Sequence, residues 1–198
     1  YGLGNIRAFV NVYERLNIKI KIAQSADDLK DASKIILPGV GSFDYAITLL
    51  NSSGMREELD KKVIEEKTPV IGICLGMQIM AKSSDEGELN GLGWIDGRVK
   101  IFDPKTIKYK TSYPHMGWNE IEPVKENEIL AGLENKHRFY FLHSYYFICH
   151  NDEDIVTTTN YGIKYTSTLN NDNVYGIQFH PEKSHSSGVQ ILKNFAFL

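Results

Sequence analysis

The run Thr68-Pro69-Val70-Ile71-Gly72-Ile73-Cys74-Leu75-Gly76-Met77-Gln78-Ile79-Met80-Ala81-Lys82 sets the architecture of this chain. Val70, Ile71 and Ile73 form a short unbroken apolar run, the pattern of a strand covered on both faces, and Met77, Ile79 and Met80 resume at helical spacing. Cys74 stands at the corner between the two, with Gly72 and Gly76 two residues away on either side. Gly-x-Cys-x-Gly is the cysteine form of the strand-turn-helix elbow, in which small neighbours let the chain close tightly and present a nucleophile. A cysteine at a strand end with ordinary neighbours is a buried structural thiol. The paired glycines, with a strand before and a helix after, predict a reactive one.

Working outward, Tyr1-Gly2-Leu3-Gly4-Asn5 reads as a loop leading into a helix whose apolar stripe is Ile6, Phe9, Val10, Tyr13 and Leu16. Gly2-x-Gly4 lacks the third glycine of a dinucleotide fingerprint and does not by itself indicate a nucleotide site. Ile18, Ile20 and Ile22 alternate with lysines and predict a strand near a sheet edge. Lys34 to Leu37 predicts the next strand, closing in the tight loop Pro38-Gly39-Val40-Gly41-Ser42-Phe43-Asp44 with backbone N–H groups free to point outward. Helical patterns follow over Tyr45 to Leu50 and Met55 to Glu66, broken at Gly54. Strands and helices in alternation argue for an α/β fold with a mostly parallel central sheet flanked by helices, whose chemistry lies at the carboxyl ends of the strands.

The second half changes character. After the polar turn Ser83 to Gly87, short strand patterns occur at Arg98 to Phe102, Trp118 to Ile121, Phe139 to Leu142, Tyr145 to Cys149, Ile155 to Thr159, Ile163 to Leu169 and Val174 to Phe179. A hairpin connection is expected over Asn170 to Asn173, and a closing helix over Gly188 to Phe195. These runs predict an added, largely antiparallel layer within one domain spanning residues 1–198.

Bulk properties narrow the function. At 198 residues and 42% hydrophobic, the chain can bury one sizeable core. A net charge of −3 without a Lys/Arg cluster gives no footprint for nucleic acid. The longest apolar stretch is interrupted at Gly72, Gly76 and Gln78 and is too short to span a bilayer. Two cysteines, Cys74 and Cys149, have no spacing that suggests a disulfide framework or a zinc site, so a reducing cytoplasm is the expected location.

Val174-Tyr175-Gly176-Ile177-Gln178-Phe179 reads as a strand delivering His180-Pro181-Glu182 at its end. A thiol needs a base to become a thiolate, and an imidazole needs an acceptor to fix its tautomer. His180 and Glu182, two residues apart in an extended segment stiffened by Pro181, leave the chain on one face and supply both.

In the elbow motif and in His180-Pro181-Glu182-Lys183-Ser184 the chain resembles the class I, or triad, glutamine amidotransferases. Pro38 to Phe43, Pro114-His115-Met116-Gly117-Trp118-Asn119 and Phe141-Leu142-His143-Ser144-Tyr145-Tyr146 narrow the resemblance to the glutaminase subunits of imidazole glycerol phosphate synthase in histidine biosynthesis. The resemblance implies that Cys74 attacks the carboxamide of L-glutamine, with His180 as base and acid and Glu182 orienting it. It places the oxyanion among the backbone N–H groups of Leu75 and of the Gly39-Val40-Gly41 loop. Gln78 and Glu86 match positions that hold glutamine, helped by Gly41, Ser144 and Tyr145. Asn5, Met116, Trp118, Asn119, Tyr140 and Lys183 match a face docked against a (β/α)8-barrel cyclase subunit in a heterodimer, where ammonia passes without meeting bulk water. No cofactor and no metal ion are implied. His143 and Cys149 are expected to be structural. Members of the family carry a hydrophobic strand ending in Asp ahead of the Tyr-Gly-x-Gly-Asn motif, and such a strand is expected in the natural protein. Competing readings keep the glutaminase but change the acceptor, as in a sugar amidotransferase, or keep only the fold, as in a non-catalytic regulatory module or a cysteine peptidase. The intact Cys74, His180 and Glu182 count against the module, and Gln78 with the synthase-type motifs against the peptidase.

Overall fold

In the computed structural model, residues 1–108, 113–133 and 137–198 are described. The first helix, α1 (Ile6–Arg15), buries Phe9, Val12 and Tyr13, the i, i+3, i+4 stripe that makes it amphipathic. A one-turn α2 (Ala26–Leu29) follows, closed by a capping box between Ser25 and Asp28. Then come β1 (Ile35–Gly39), α3 (Phe43–Ser52), α4 (Arg56–Asp60), a π-helical turn over Lys61–Glu65, and the elbow pair β2 (Val70–Cys74) and α5 (Leu75–Gln78). All five residues of β2 are buried, as its unbroken apolar run predicts for a strand covered on both faces. The second half contributes β3 (Ser83–Ser84), β4 (Gly97–Ile101), β5 (His115–Glu120), β6 (Glu122–Pro123), β7 (Arg138–His143) and β8 (Tyr145–Cys149). Four elements close it: the hairpin β9 (Ile155–Tyr161) and β10 (Ile163–Asn171), then β11 (Val174–Ile177), then α6 (His185–Ala196).

The main sheet runs β1-β2-β11-β10-β8-β4-β3, with β9 on the other edge of β10 and β6 beyond it. β1, β2 and β11 are mutually parallel, and β10 then reverses direction against β11. The antiparallel part is therefore joined edge to edge with the parallel part. A separate two-stranded antiparallel sheet, β5-β7, lies beside it. The expected hairpin at Asn170 to Asn173 joins β10 to β11, with Asn171 opposite Val174 and Asp172 in the left-handed region.

The sheet divides the core. One side is filled by Phe43, Ile47 and Leu50 of α3 with Leu59 of α4. The other holds Phe9 and Tyr13 of α1, Ile191, Leu192 and Phe195 of α6, and Phe139 and Phe141 of β7. The Tyr13 hydroxyl donates to the Leu192 carbonyl at 2.9 Å, tying the two helices of that side together.

Two expectations need correction. Ile18 to Ile22 is not a strand: exposure alternates from Ile18 to Lys21, but Ile22 is exposed, and among the described residues no strand pairs with the segment. An apolar groove of about 1020 Å³ separates it from β1, lined by Ile18, Ile20, Ile36, Leu37, Phe9 and Tyr13 among others. A ladder needs a partner, and the groove lies where one would have to be. The helix after Cys74 is also a single turn. Beyond Gln78 the carbonyls of Ile79, Met80 and Ala81 accept from the N–H groups of Leu92, Ile95 and Gly93, so the helical ladder does not propagate. The apolar spacing there reports burial rather than helix.

Candidate active site

Cys74 has φ 56° and ψ −112°, a conformation that costs an L-residue strain and occurs where the surroundings enforce it. The enforcement comes from its neighbours. A Cβ on Gly76 would lie 1.8 Å from the Leu37 carbonyl oxygen, and one on Gly72 would lie 2.6 Å from the Gly76 carbonyl oxygen. Both glycines are thus required by close approach of backbone to backbone at the corner. Gly39 sits opposite Cys74 in the β1-β2 register, so the Gly39-Val40-Gly41 loop leaves the sheet beside the thiol.

His180 arrives from the far side, just past the end of β11. Its backbone N–H donates to the Tyr140 carbonyl at 2.8 Å, and its carbonyl accepts from Ser184 Oγ at 2.6 Å. The imidazole Nδ1 lies 2.9 Å from Glu182 Oε1, and both side chains are almost wholly buried. Glu182 Oε2 has no hydrogen-bond partner among the described residues, and Oε1 bears on His180. Burial by itself pulls the imidazole pKa down, but hydrogen bonding and charge at Cys74 and Glu182 outweigh it and raise it to about 9. The pair is built to hold a proton on the ring.

Around the sulfur, Cys74 Sγ points at the Leu142 carbonyl at 3.9 Å, and Gln178 Nε2 donates to Sγ at 3.8 Å. Gln178 Oε1 in turn accepts from Gln78 Nε2 at 3.0 Å, and the same Gln78 nitrogen donates to the Tyr145 carbonyl at 3.0 Å. Gln78, Gln178 and the Tyr145 backbone therefore meet on one side of the thiol. Glu86 Oε2 accepts from the Phe43 N–H at 2.9 Å, capping the start of α3 just past the Gly41 loop. Desolvation raises the pKa of its carboxyl, and its charge acts on the Tyr145 phenol, which places it at the same side of the site.

The expected docking residues separate into two groups. Trp118 stands opposite Tyr140 in the β5-β7 register and stacks on His185, with ring centroids 4.9 Å apart. Lys183 Nζ lies 5.6 Å from the Tyr140 ring centre, within cation–π range. Met116, 62% exposed, shares the outer face of β5 with Trp118. Asn119 turns the other way, donating to the Asn160 carbonyl at 2.9 Å and contacting His115. Asn5 stands at the N-cap position of α1, without a side-chain capping hydrogen bond, beside Gly4, whose backbone packs on Pro38 at the base of the Gly39 loop.

Sequence reasoning missed Gln178, Ser184 and Tyr165. Gln178 carried a signal, since a glutamine inside the apolar run Val174 to Phe179 is a buried polar group needing partners. Cys149 is buried, and burial pushes its thiol up to about 12, the behaviour of an inert structural cysteine. His115 and His143 are also buried, and desolvation pushes them down to about 4 and about 3. Unfolded histidines protonate near 6.5, so below that pH the unfolded chain binds protons that the folded one refuses. Stability should accordingly be undiminished by this pair above about pH 6.5 and fall as the pH drops towards 4 and then 3. Urea midpoints at pH 7, 5.5 and 4.5 check this, and an unchanged midpoint across the series would contradict it.

A family model for class-I glutamine amidotransferases matches residues 2–198, and the chain belongs to that family. Within it, the chain is similar to imidazole glycerol phosphate synthase subunit HisH of Bdellovibrio bacteriovorus, with 53% identity over 99% of this chain and 96% of the relative. A second such subunit, from Leptospira interrogans, is 48% identical over 100% of this chain and 97% of its own length. Among solved structures, one described as a glutamine amidotransferase superposes with a TM-score of 0.75 at 20% identity, covering 99% of this chain and 96% of that one. The glutaminase domain of Trypanosoma brucei CTPS, solved with bound acivicin, superposes with a TM-score of 0.66 at 16% identity, covering 97% and 86%. The last two establish likeness of fold.

Proposed function

We propose that this chain is the glutaminase subunit of an imidazole glycerol phosphate synthase, with Cys74 as nucleophile, His180 as general base and acid, and Glu182 as the group that orients the imidazole. The observation that carries the residue assignment is the strained Cys74 corner facing the buried His180–Glu182 pair. His180 takes the thiol proton and the thiolate attacks the carboxamide carbon of glutamine, giving a tetrahedral oxyanion. The N–H of Leu75, at the first turn of α5 where no helical acceptor exists, and that of Val40 receive the oxyanion, with Gly39 and Gly41 shaping the loop. Collapse expels ammonia, which takes the proton from His180 and leaves a glutamyl thioester on Cys74. Water, deprotonated by His180, then attacks the thioester, and glutamate leaves as the thiol is restored. Gln78, Ser144 and Tyr145 hold the substrate, and the raised but ionisable Glu86 carboxylate suits its ammonium.

The partner is a (β/α)8-barrel cyclase subunit, docked on the face made by Met116, Trp118, Tyr140 and Lys183. None of these four is asked to bond the reacting carboxamide, so their loss should affect transfer more than hydrolysis. Lys183→Ala leaves an acidic partner group without its cation and should weaken the complex roughly tenfold. Trp118→Ala removes a large aromatic from the centre of the face and should admit water to the ammonia path. The test measures glutamate and cyclised product formed from the same glutamine in the reconstituted complex, beside product formed from ammonium salt. Product per glutamate should fall while the salt-driven reaction survives. A ratio that stays near one, with unchanged affinity, would move the docking face elsewhere.

A further inference from the structure

Behind the Ser144–Tyr145 backbone, five groups from four strands form one line of hydrogen bonds that the chemistry above does not use. Asn119 Nδ2 lies 3.2 Å from His115 Nε2, and His115 Nδ1 lies 3.0 Å from Tyr165 Oη. The same hydroxyl lies 3.1 Å from His143 Nε2, and His143 Nδ1 lies 2.7 Å from the Tyr145 carbonyl oxygen. His115, His143 and Tyr165 are all buried.

The direction of every proton in this line follows from its two ends. A carbonyl only accepts, so His143 carries its proton on Nδ1, and a neutral ring then has a bare Nε2 that can only receive, from the Tyr165 hydroxyl; the Thr159 side chain also borders this hydroxyl, and its own proton goes to the Glu120 carbonyl at 3.0 Å. With its proton spent, Tyr165 Oη accepts from His115, which therefore also carries Nδ1–H and a bare Nε2. That nitrogen receives from Asn119, whose amide is oriented independently: its Oδ1 accepts from the Glu120 N–H at 2.8 Å and its other N–H goes to the Asn160 carbonyl. Burial keeps both rings neutral, so the line does not reverse in the physiological range. It ends on the carbonyl that also receives Gln78 Nε2.

We infer that His143 is a positioning residue for glutamine, holding the Ser144–Tyr145 backbone and through it Gln78, and that its tautomer is fixed by Tyr165 of β10 together with His115 and Asn119, which lie on the inner face of the strand that carries Met116 and Trp118 outside. The inference rests on the proposed assignment of Gln78, Ser144 and Tyr145 to the substrate. Buried polar lines of this kind specify one geometry when every member is satisfied, and loosen when one is removed. The effect belongs in substrate binding, because no member touches the reacting carbon.

The experiment uses the reconstituted complex. Long-range proton–nitrogen spectra of 15N-histidine protein should show His115 and His143 as neutral Nδ1–H tautomers. Tyr165→Phe should release His143 into a mixture of tautomers and raise KM for glutamine roughly three- to tenfold, with kcat within about twofold. His115→Phe, which keeps the ring stacks on Phe141 and Tyr161, should move KM in the same direction and less, and serves if Tyr165→Phe does not fold. A His143 ring found as Nε2–H overturns the inference whatever the kinetics. So does a KM unmoved in both variants, or a kcat that falls with KM unchanged. Absence of turnover in the unmodified complex, with both rings as Nδ1–H, would strike the glutaminase assignment and not the relay.

Discussion

Cys74→Ala is expected to lower glutamine hydrolysis by a factor of roughly 10^4 or more, because a methyl group supplies neither the covalent intermediate nor the acceptor for the carboxamide carbon. The fold should persist, since the side chain is small and its contacts with Leu142 and Gln178 are long. A glutamine-shaped electrophile should label Cys74 in the unmodified chain and spare Cys149, whose thiol burial holds near 12 and therefore un-ionised at neutral pH. The measurement is glutamate release by the purified complex, with peptide mapping of the label. Turnover surviving in Cys74→Ala, or label on Cys149, would remove the nucleophile assignment.

The second large effect is on stability. Gly76→Ala adds one methyl group, but that methyl would sit 1.8 Å from the Leu37 carbonyl oxygen, an atom of the neighbouring strand that cannot rotate away. Either β1 moves from β2 or the elbow opens, and both separate the Gly39 loop from Cys74. Overpacking of a tight core costs about 1–3 kcal/mol, and with backbone on both sides the upper end applies. Denaturant unfolding of Gly76→Ala against the unmodified chain reads it, alongside glutaminase activity. A variant with unchanged midpoint and full activity would mean that the corner is looser than its geometry says.

How much of this was legible beforehand depended on the range of the interaction concerned. The elbow was readable because its cause is local: Gly72, Cys74 and Gly76 lie within five residues, and the close approaches that require the glycines occur at that corner. His180 and Glu182 were readable for the same reason, two residues apart on one extended segment. Ile18 to Ile22 shows the limit, since alternation reports which side chains are covered but not whether a strand lies alongside to accept a ladder. The relay was beyond reach, because His115, His143 and Tyr165 are brought together by three strands and each alone reads as an ordinary core residue. That Asn119 faces away from Met116 and Trp118 was hidden for a related reason: the motif that contains all three runs along one strand, and a strand sends alternate residues to opposite faces.

The position of β11 has a consequence for how the molecule comes into being. Residues 35–74 supply β1 and β2, residues 97–171 supply the antiparallel strands, and among the described residues these two parts of the main sheet meet only through β11, the last strand. Everything made earlier must wait for it, with the edges of β2 and β10 open in the meantime. Pairing β2 with β11 closes a loop of about a hundred residues, the kind of non-local step that slows folding. That strand also delivers His180. Completion of the sheet and assembly of the reactive pair are thus one event, and a nascent or truncated chain exposes a cysteine with no imidazole beside it. If Cys74 and His180 act as proposed, a chain that stops short of β11 is expected to hydrolyse no glutamine.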